Sequence, residues 1–266
     1  SDPNRYNIAT FPVEENDKNG EGESLKLHMN REPRFYAWIA FHNGYYEVSG
    51  EDDRKEFSYA PVWKRGKDKK YKQLVQFMKT QNMGITNDNK YGTKTGYLNK
   101  KGAHPGTSAS KSTGFKVINY PWPMVRLAEL YLNYAEACVE CNDLPEAKRY
   151  LNYVRGRAGI PTVEESWDGI AELTQNKLRE IVRQERLIEL YMENHNFWDI
   201  RRWGIAETLG EQPKGLSVQA KTITEFAKPV SVDVQRRFIP AHYLMPLPIS
   251  EINKNPNMVQ NPGYDQ

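Results

Sequence analysis

Glu185, Glu189 and Glu193 stand four residues apart, so any helix containing them stacks the three carboxylates on one face. A pair of carboxyl groups roughly 5–9.5 Å apart is the equipment of glycoside cleavage, one protonating the leaving oxygen while the other attacks or activates water. The surrounding residues argue for a different use. Arg183, Arg186, Arg201 and Arg202 lie close by, and Arg126 opens an earlier helical segment. A buried carboxylate without a cation costs several kcal/mol, so acids among guanidiniums read as an ion network holding helices in register. So many arginines leave no acid poised to give up a proton.

Asp199 and Arg202 sit at i and i+3, where one helical turn pairs them, and Trp198 and Trp203 flank the pair. Those tryptophans are expected to seal the core beneath it, with cation–π contact adding about 0.5–2 kcal/mol. Cys138 and Cys141 form a C-x-x-C, but at the end of a helix and without the second pair that a tetrahedral zinc site needs. Cys138 reads as a small apolar residue on an inward stripe. The five histidines (28, 42, 104, 195 and 242) show no ligand spacing, and no nucleophile motif accompanies them. Glu15, Asp17, Asn19 and Gly20 faintly resemble a calcium loop, yet Lys26 occupies the place of its bidentate glutamate. The run Lys64 to Lys72 holds six basic residues and reads as a solvated loop. No metal and no cofactor is expected.

The aromatic residues of the first half are the better binding candidates. Trp38, Tyr45, Tyr46, Tyr59 and Trp63 sit on or beside loops rather than in a helical stripe. Exposed rings stack on sugar faces while nearby amides and carboxylates bind hydroxyls. The plainer alternative is that Trp38 and Trp63 pack the loop layer onto the helices. Composition agrees with both: aromatics reach 12%, with six Trp and sixteen Tyr, while mean hydropathy is −0.79. A net charge of +3 is too balanced to argue for nucleic acid. No apolar run approaches the roughly 20 residues that span a bilayer. No signal peptide is recognisable in the sequence, and the abrupt start at Ser1-Asp2-Pro3 suggests a fragment.

These residues need elements to position them. Residues 34–48 alternate as a strand and reach Asn43-Gly44, a pair that tolerates the positive φ of a tight type I′ turn, so a β-hairpin is predicted with Tyr45 and Tyr46 at its tip. Between 49 and 120 short strands and long loops are expected, with one short helix near Tyr71–Lys79. From Met124 the period becomes helical, Pro121 and Pro123 suit a helix start, and positions 124, 127, 128, 131, 135 and 138 form one stripe. A second helix has Pro145 in its first turn and Ala147, Tyr150, Leu151 and Val154 inward; Gly159-Ile160-Pro161 ends it. Such a pair resembles a tetratricopeptide-type hairpin, which cannot bury its outer face alone. A third helix is predicted over about Thr174–Glu193, with Leu178, Ile181, Val182, Ile188, Tyr191 and Met192 inward and Asn194 as left-handed cap. Residues 205–242 read as irregular, and the proline-punctuated end as extended.

Several separated motifs follow one another along the chain: Arg31-Glu32-Pro33-Arg34-Phe35, Thr95 to Lys101, the helix Arg126-Leu127-Ala128-Glu129-Leu130-Tyr131-Leu132-Asn133-Tyr134-Ala135-Glu136-Ala137, and Leu151 to Gly159. The Glu185–Leu190 helix, the Trp198–Trp203 segment and Gln260-Asn261-Pro262-Gly263-Tyr264 complete the order. Together they resemble the SusD/RagB family. Asn194 and Asn196 stand where the family commonly has Gly and Arg. The resemblance implies a mainly α fold, SusD-like, with tetratricopeptide-type hairpins and a loop-rich region of short strands. It implies one C-terminal domain over 1–266 (loop-rich to 120, helical over 121–204, extended over 205–266) of a protein about twice as long. By the same resemblance this is a non-enzymatic, lipid-anchored protein of the outer-membrane surface. It would hold an oligosaccharide or other nutrient and deliver it to a SusC-like TonB-dependent transporter. A tetratricopeptide-type interaction scaffold is the rival, and a glycoside hydrolase the more distant one.

Overall fold

The computed structural model describes residues 2–11, 19–49, 62–65, 70–79, 81, 92–104, 108–110, 114–116, 118–119, 122–169, 172–232, 236–255 and 257–264. Its first part is built from short antiparallel pairs. Strand β1 (Ile8–Thr10) pairs with β2 (Glu23–Leu25), and a short helix α1 (Pro33–Trp38) leads into β3 (Ile39–Phe41). Strand β4 (Tyr45–Ser49) follows, then β5 (Val62–Arg65), β6 (Lys70–Leu74), β7 (Tyr97–Asn99), β8 (Ser108–Ser110) and β9 (Gly114–Lys116).

The predicted hairpin over 34–48 does not form. Its first half is α1, begun by Pro33 in the first turn, and β3 pairs with β7 while β4 pairs with β6. Asn43 does adopt the left-handed conformation (φ 58), but it links strands of two different sheets. The helix expected near Tyr71–Lys79 is β6, the central strand of the sheet β4-β6-β5. Alternation of Tyr71 and Gln73 with lysines suits a pleated surface, and the pairing with two neighbours overrides a weak helical preference.

The helical part begins at α2 (Leu127–Glu140), three residues later than the sequence suggests, and turns through Asn142 (φ 61) into α3 (Leu144–Arg157). Asp143 caps α3 by accepting from the Glu146 amide, and Gly159 (φ 69) follows its end. A capping box of Thr162 and Glu165 starts α4 (Val163–Trp167). Thr174 caps α5 (Gln175–Glu189), and Asn194 (φ 66) precedes α6 (His195–Arg202). The buried stripe of α2 is Ala128, Leu132, Ala135, Cys138 and Val139, which packs on Ala147, Leu151 and Val154 of α3 and on Leu178, Ile181 and Val182 of α5. Fully buried Ala135 and Ala147 let the hairpin close, and each buried leucine contributes about 1.5–3 kcal/mol. Met124 and Leu127, expected inward, are 88% and 60% exposed, because the stripe is rotated by part of a turn. Helix α5 stops at Glu189, so Met192 is exposed rather than core. Trp198 is exposed too, whereas Trp203 lies half-buried under Arg183 and Arg202.

Beyond α6 the chain adds β10 (Lys214–Leu216), α7 (Ile223–Phe226), β11 (Pro229–Ser231) and α8 (Ile249–Lys254), the last inside the stretch expected to be extended. Leu216 and Phe226 share a second core with Leu25, Ala40, Val75 and Phe77, so this segment packs against the strand region. The join is tight at Gly96 (φ 80), where a Cβ would lie 2.9 Å from that of Leu216. Beside this core Ser24 donates to the His42 carbonyl (2.6 Å). That uses its only proton, so Nδ1 of His28 donates to Ser24 (2.8 Å) and Nε2 accepts from the Tyr97 hydroxyl (2.9 Å). Burial holds both imidazoles neutral, His28 pushed down to about 3 and His42 to about 4.

Candidate ligand-binding groove

Glu189 is fully buried at the end of α5 and meets three guanidiniums. Arg34 Nη1 reaches Oε2 at 3.0 Å, Arg126 Nη1 reaches Oε1 at 3.0 Å, and Arg157 Nη2 lies 2.7 Å from both oxygens. Glu185 pairs with Arg34 (2.6 Å) and Arg155 (3.0 Å). Glu193 accepts from Arg126 (2.8 and 2.7 Å) and pairs with Lys101, whose ammonium also donates to the Glu189 carbonyl (2.7 Å). Burial alone would raise the Glu193 carboxyl, but its bonds from Arg126 and Lys101 win and hold it below the usual range. The network therefore ties α1, α3, α5 and the start of α2 to one point. Of the arginines proposed from sequence only Arg126 belongs to it. Arg186 and Arg202 instead clamp Asp199 (2.8–3.1 Å), and Arg202 also reaches Glu136. Arg34, Lys101, Arg155 and Arg157 lie within the separated motifs, but nothing in the sequence tied them to the glutamates, because that pairing is made only by tertiary packing.

Above this ionic floor opens a groove of about 480 Å³, lined by Trp38, Lys101, Trp122, Pro123, Met124, Arg126, Glu129, Arg157 and residues Met192 to His195. Lys101 Nζ stands 4.1 Å from the centre of the Trp38 ring, fixing it at the groove wall. Trp122 is 63% exposed. Met192 is a left-handed non-glycine residue (φ 60), a conformation costing about 1 kcal/mol, and it holds an exposed thioether at the rim. Strain of that kind gathers at functional surfaces. Chemically the groove offers flat apolar faces above paired charges.

Of the sequence candidates whose side chains are described, only Trp38 lines this groove. Tyr45 and Tyr46 are half-buried in β4 rather than at a hairpin tip, and Tyr46 packs on the second core. Both are tied nearby through Lys100, which donates to the Tyr45 carbonyl (3.0 Å) and stands 5.7 Å over the Tyr46 ring. Trp63 lies in β5, and Tyr59 falls outside the described residues. Trp122 was missed because Trp122-Pro123 reads as the start of a helix, and Met192 because it continues an apolar stripe. Among the described residues no three His, Cys, Asp or Glu side chains gather to hold a metal, and no helix is long and apolar enough to cross a membrane.

A sequence profile of the SusD family matches residues 6–264. The chain belongs to the SusD family. It is 33% identical over 143 residues to SusD-like protein P25 of Formosa agariphila, and 35% identical over 144 residues to SusD-like protein P2 of the same organism. Those alignments take in 52% and 53% of this chain but only 24% and 25% of the relatives. Among solved structures it resembles BT4246, with a TM-score of 0.78 and 31% identity over 98% of this chain and 40% of that one. A SusD-like protein (BF3747) from Bacteroides fragilis gives 0.61 and 30%, over 90% of this chain and 40% of its own. The helix-rich SusD-like architecture read from the sequence is therefore the observed one, with its tetratricopeptide-like hairpin at α2 and α3.

Proposed function

We propose that this SusD-family chain is a non-enzymatic nutrient-binding protein that holds an oligosaccharide in the groove between Trp38 and Trp122. The observation that carries the reading is the pairing of those two rings with a floor whose acids are already neutralised. Ring faces stack on sugars, while the exposed outer edge of Arg157 is placed to bind hydroxyls. The floor carboxylates Glu185, Glu189 and Glu193 are all held by cations, and Glu129 at the wall faces His195 (3.5 Å) with no second free acid beside it among the described lining residues, so capture and release is the chemistry. Family membership supports a role in polysaccharide utilisation at the outer-membrane surface, with hand-over to a SusC-like TonB-dependent transporter and attachment through a lipid anchor. The chain matches 40% of the related structures, so the remainder of such a protein is free to add to the same surface. Tyr45, Tyr46, Tyr59 and Trp63 stay in the proposal as further candidates for ring stacking.

Isothermal titration against a polysaccharide panel tests this. Binding without new reducing ends is expected, and Trp38→Ala with Trp122→Ala weakens it at least tenfold. Full binding by that double variant removes the site assignment, and reducing ends removes the non-enzymatic one.

A second reading has one observation in its favour. Leu127, Leu130 and Tyr134 form a bare apolar stripe on α2, 48–60% exposed, of the sort that stacks against a further helix in repeat scaffolds. On that reading α2 is an interaction surface, and Leu127→Glu with Leu130→Glu would abolish a partner complex while leaving sugar binding intact.

A further inference from the structure

A second cavity of about 430 Å³ meets the first at Trp38, which lines both. Its walls differ in kind. Phe35, Ile39, Leu187 and Ile188 give it an apolar, half-buried floor. The one carboxylate among its described lining residues is occupied, because both oxygens of Glu32 accept from Arg34 at 2.9 and 3.0 Å. Arg34 is itself consumed by Glu32, Glu185 and Glu189. What remains is a set of donors: the exposed Arg31 guanidinium, 5.4 Å over the Phe35 ring, and the Tyr191 hydroxyl. Neither of these groups has a hydrogen-bond partner among the described residues, and burial raises the phenol so that it stays a protonated donor.

We infer that this cavity is a second subsite, built for the acetamido group of an N-acetylated amino sugar in the oligosaccharide that occupies the groove. The inference rests on the glycan-binding reading and deepens it. An acetamido group presents a methyl, which the aliphatic floor takes out of water, and a carbonyl oxygen, which can accept from either of the two lining donors, Arg31 and Tyr191. Its N–H needs one acceptor, and the Asn30 amide at the rim can supply it. A plain hydroxyl in the same place would lose the apolar contact and leave a guanidinium poorly paired. A uronate carboxylate would suit Arg31 but not the floor, since a charge against aliphatic side chains is costly. A 6-deoxy sugar would fill the floor and leave both donors idle. The shared tryptophan makes the two cavities one trough, with ring stacking at its middle and unlike chemistry at its two arms.

The test titrates the protein with N-acetylglucosamine and N-acetylgalactosamine oligosaccharides, each beside a counterpart carrying hydroxyl, free amine, carboxylate or 6-deoxy substitution. The acetylated member of a pair is expected to bind about tenfold tighter than its hydroxyl counterpart. Saturation-transfer NMR should show the acetyl methyl as the most strongly perturbed ligand group. Tyr191→Phe and Arg31→Gln each remove most of that preference without changing affinity for the hydroxyl counterpart. Tyr191→Phe gives up no internal bond, so it keeps the wild-type unfolding temperature. Equal binding within each pair, or tighter binding of the carboxylate or 6-deoxy members, overturns the inference while leaving the groove reading in place. Failure of every sugar to bind, or binding untouched by Trp38→Ala, overturns both.

Discussion

At the residue scale the glutamate ladder changes meaning between sequence and structure. Spacing alone allowed catalysis or scaffold; three guanidiniums around fully buried Glu189 make it scaffold. Glu189→Gln strands those cations in a buried place and is expected to lower stability by about 3–5 kcal/mol in urea unfolding. A stable variant would mean that the network is not what fixes α1, α3 and α5 to one another. The buried imidazoles make a second residue-scale prediction, and its sign follows from their depressed pKa values. Stability is complete above the unfolded histidine pKa near 6.5 and is lost as pH falls below it, because only the unfolded chain takes up the protons. Each histidine should remove about 1.4 kcal/mol per pH unit between about pH 6 and 4.5, before most carboxylates titrate. An unfolding midpoint constant from pH 7 to 5 contradicts this. The glutamate side of the network was legible, because a period of four is visible in a string. Its cations were not, because Arg34 and Glu189 are 155 residues apart and meet only through the fold.

At the element scale, the helices were readable and the strand region was misread for physical reasons. Pro145 and Gly159 punctuate the chain where α3 needs them, so local chemistry and tertiary structure agree there. Asn194, by contrast, is left-handed as expected but precedes α6 instead of capping α5, which stops at Glu189. The residues of α1 and β3 alternate like a strand, yet Pro33 starts a helix there and β7 captures the remainder from 56 or more residues away in sequence. The rotated stripe of α2 gives a sharp contrast between neighbours. Leu132→Ala should cost about 2–5 kcal/mol, whereas Leu130→Ala should stay within about 0.5 kcal/mol. Comparable losses would place the buried face wrongly. Met192→Gly is a third case. Relief of left-handed strain, about 1 kcal/mol, is offset by glycine's added chain entropy, so stability should barely move. Sugar affinity should nevertheless fall severalfold if the thioether lines an occupied groove; unchanged affinity would make the rim residue idle.

At the scale of the whole molecule, two cores meet along the site. The helical core holds the ionic floor, the strand-region core carries α1 and Trp38, and Arg34 and Lys101 join them. Family and architecture were legible because the family's motifs lie mostly in the elements that build this frame. The groove was not, since its lining comes from five separate stretches: Trp38, Lys101–Gly102, residues within Trp122–Glu129, Arg157 and Met192–His195. Only Trp38 carried a sequence signal for binding, and Tyr45 and Tyr46 were misplaced with the hairpin that does not form. On the proposed reading Trp38 and Trp122 hold a sugar chain above a floor of paired charges that does no chemistry. Titration calorimetry of wild type and the Trp38→Ala, Trp122→Ala double variant against one binding oligosaccharide tests this most directly. At least a tenfold loss of affinity by the folded double variant, with no new reducing ends, is the expected result; undiminished binding by that variant would contradict the reading.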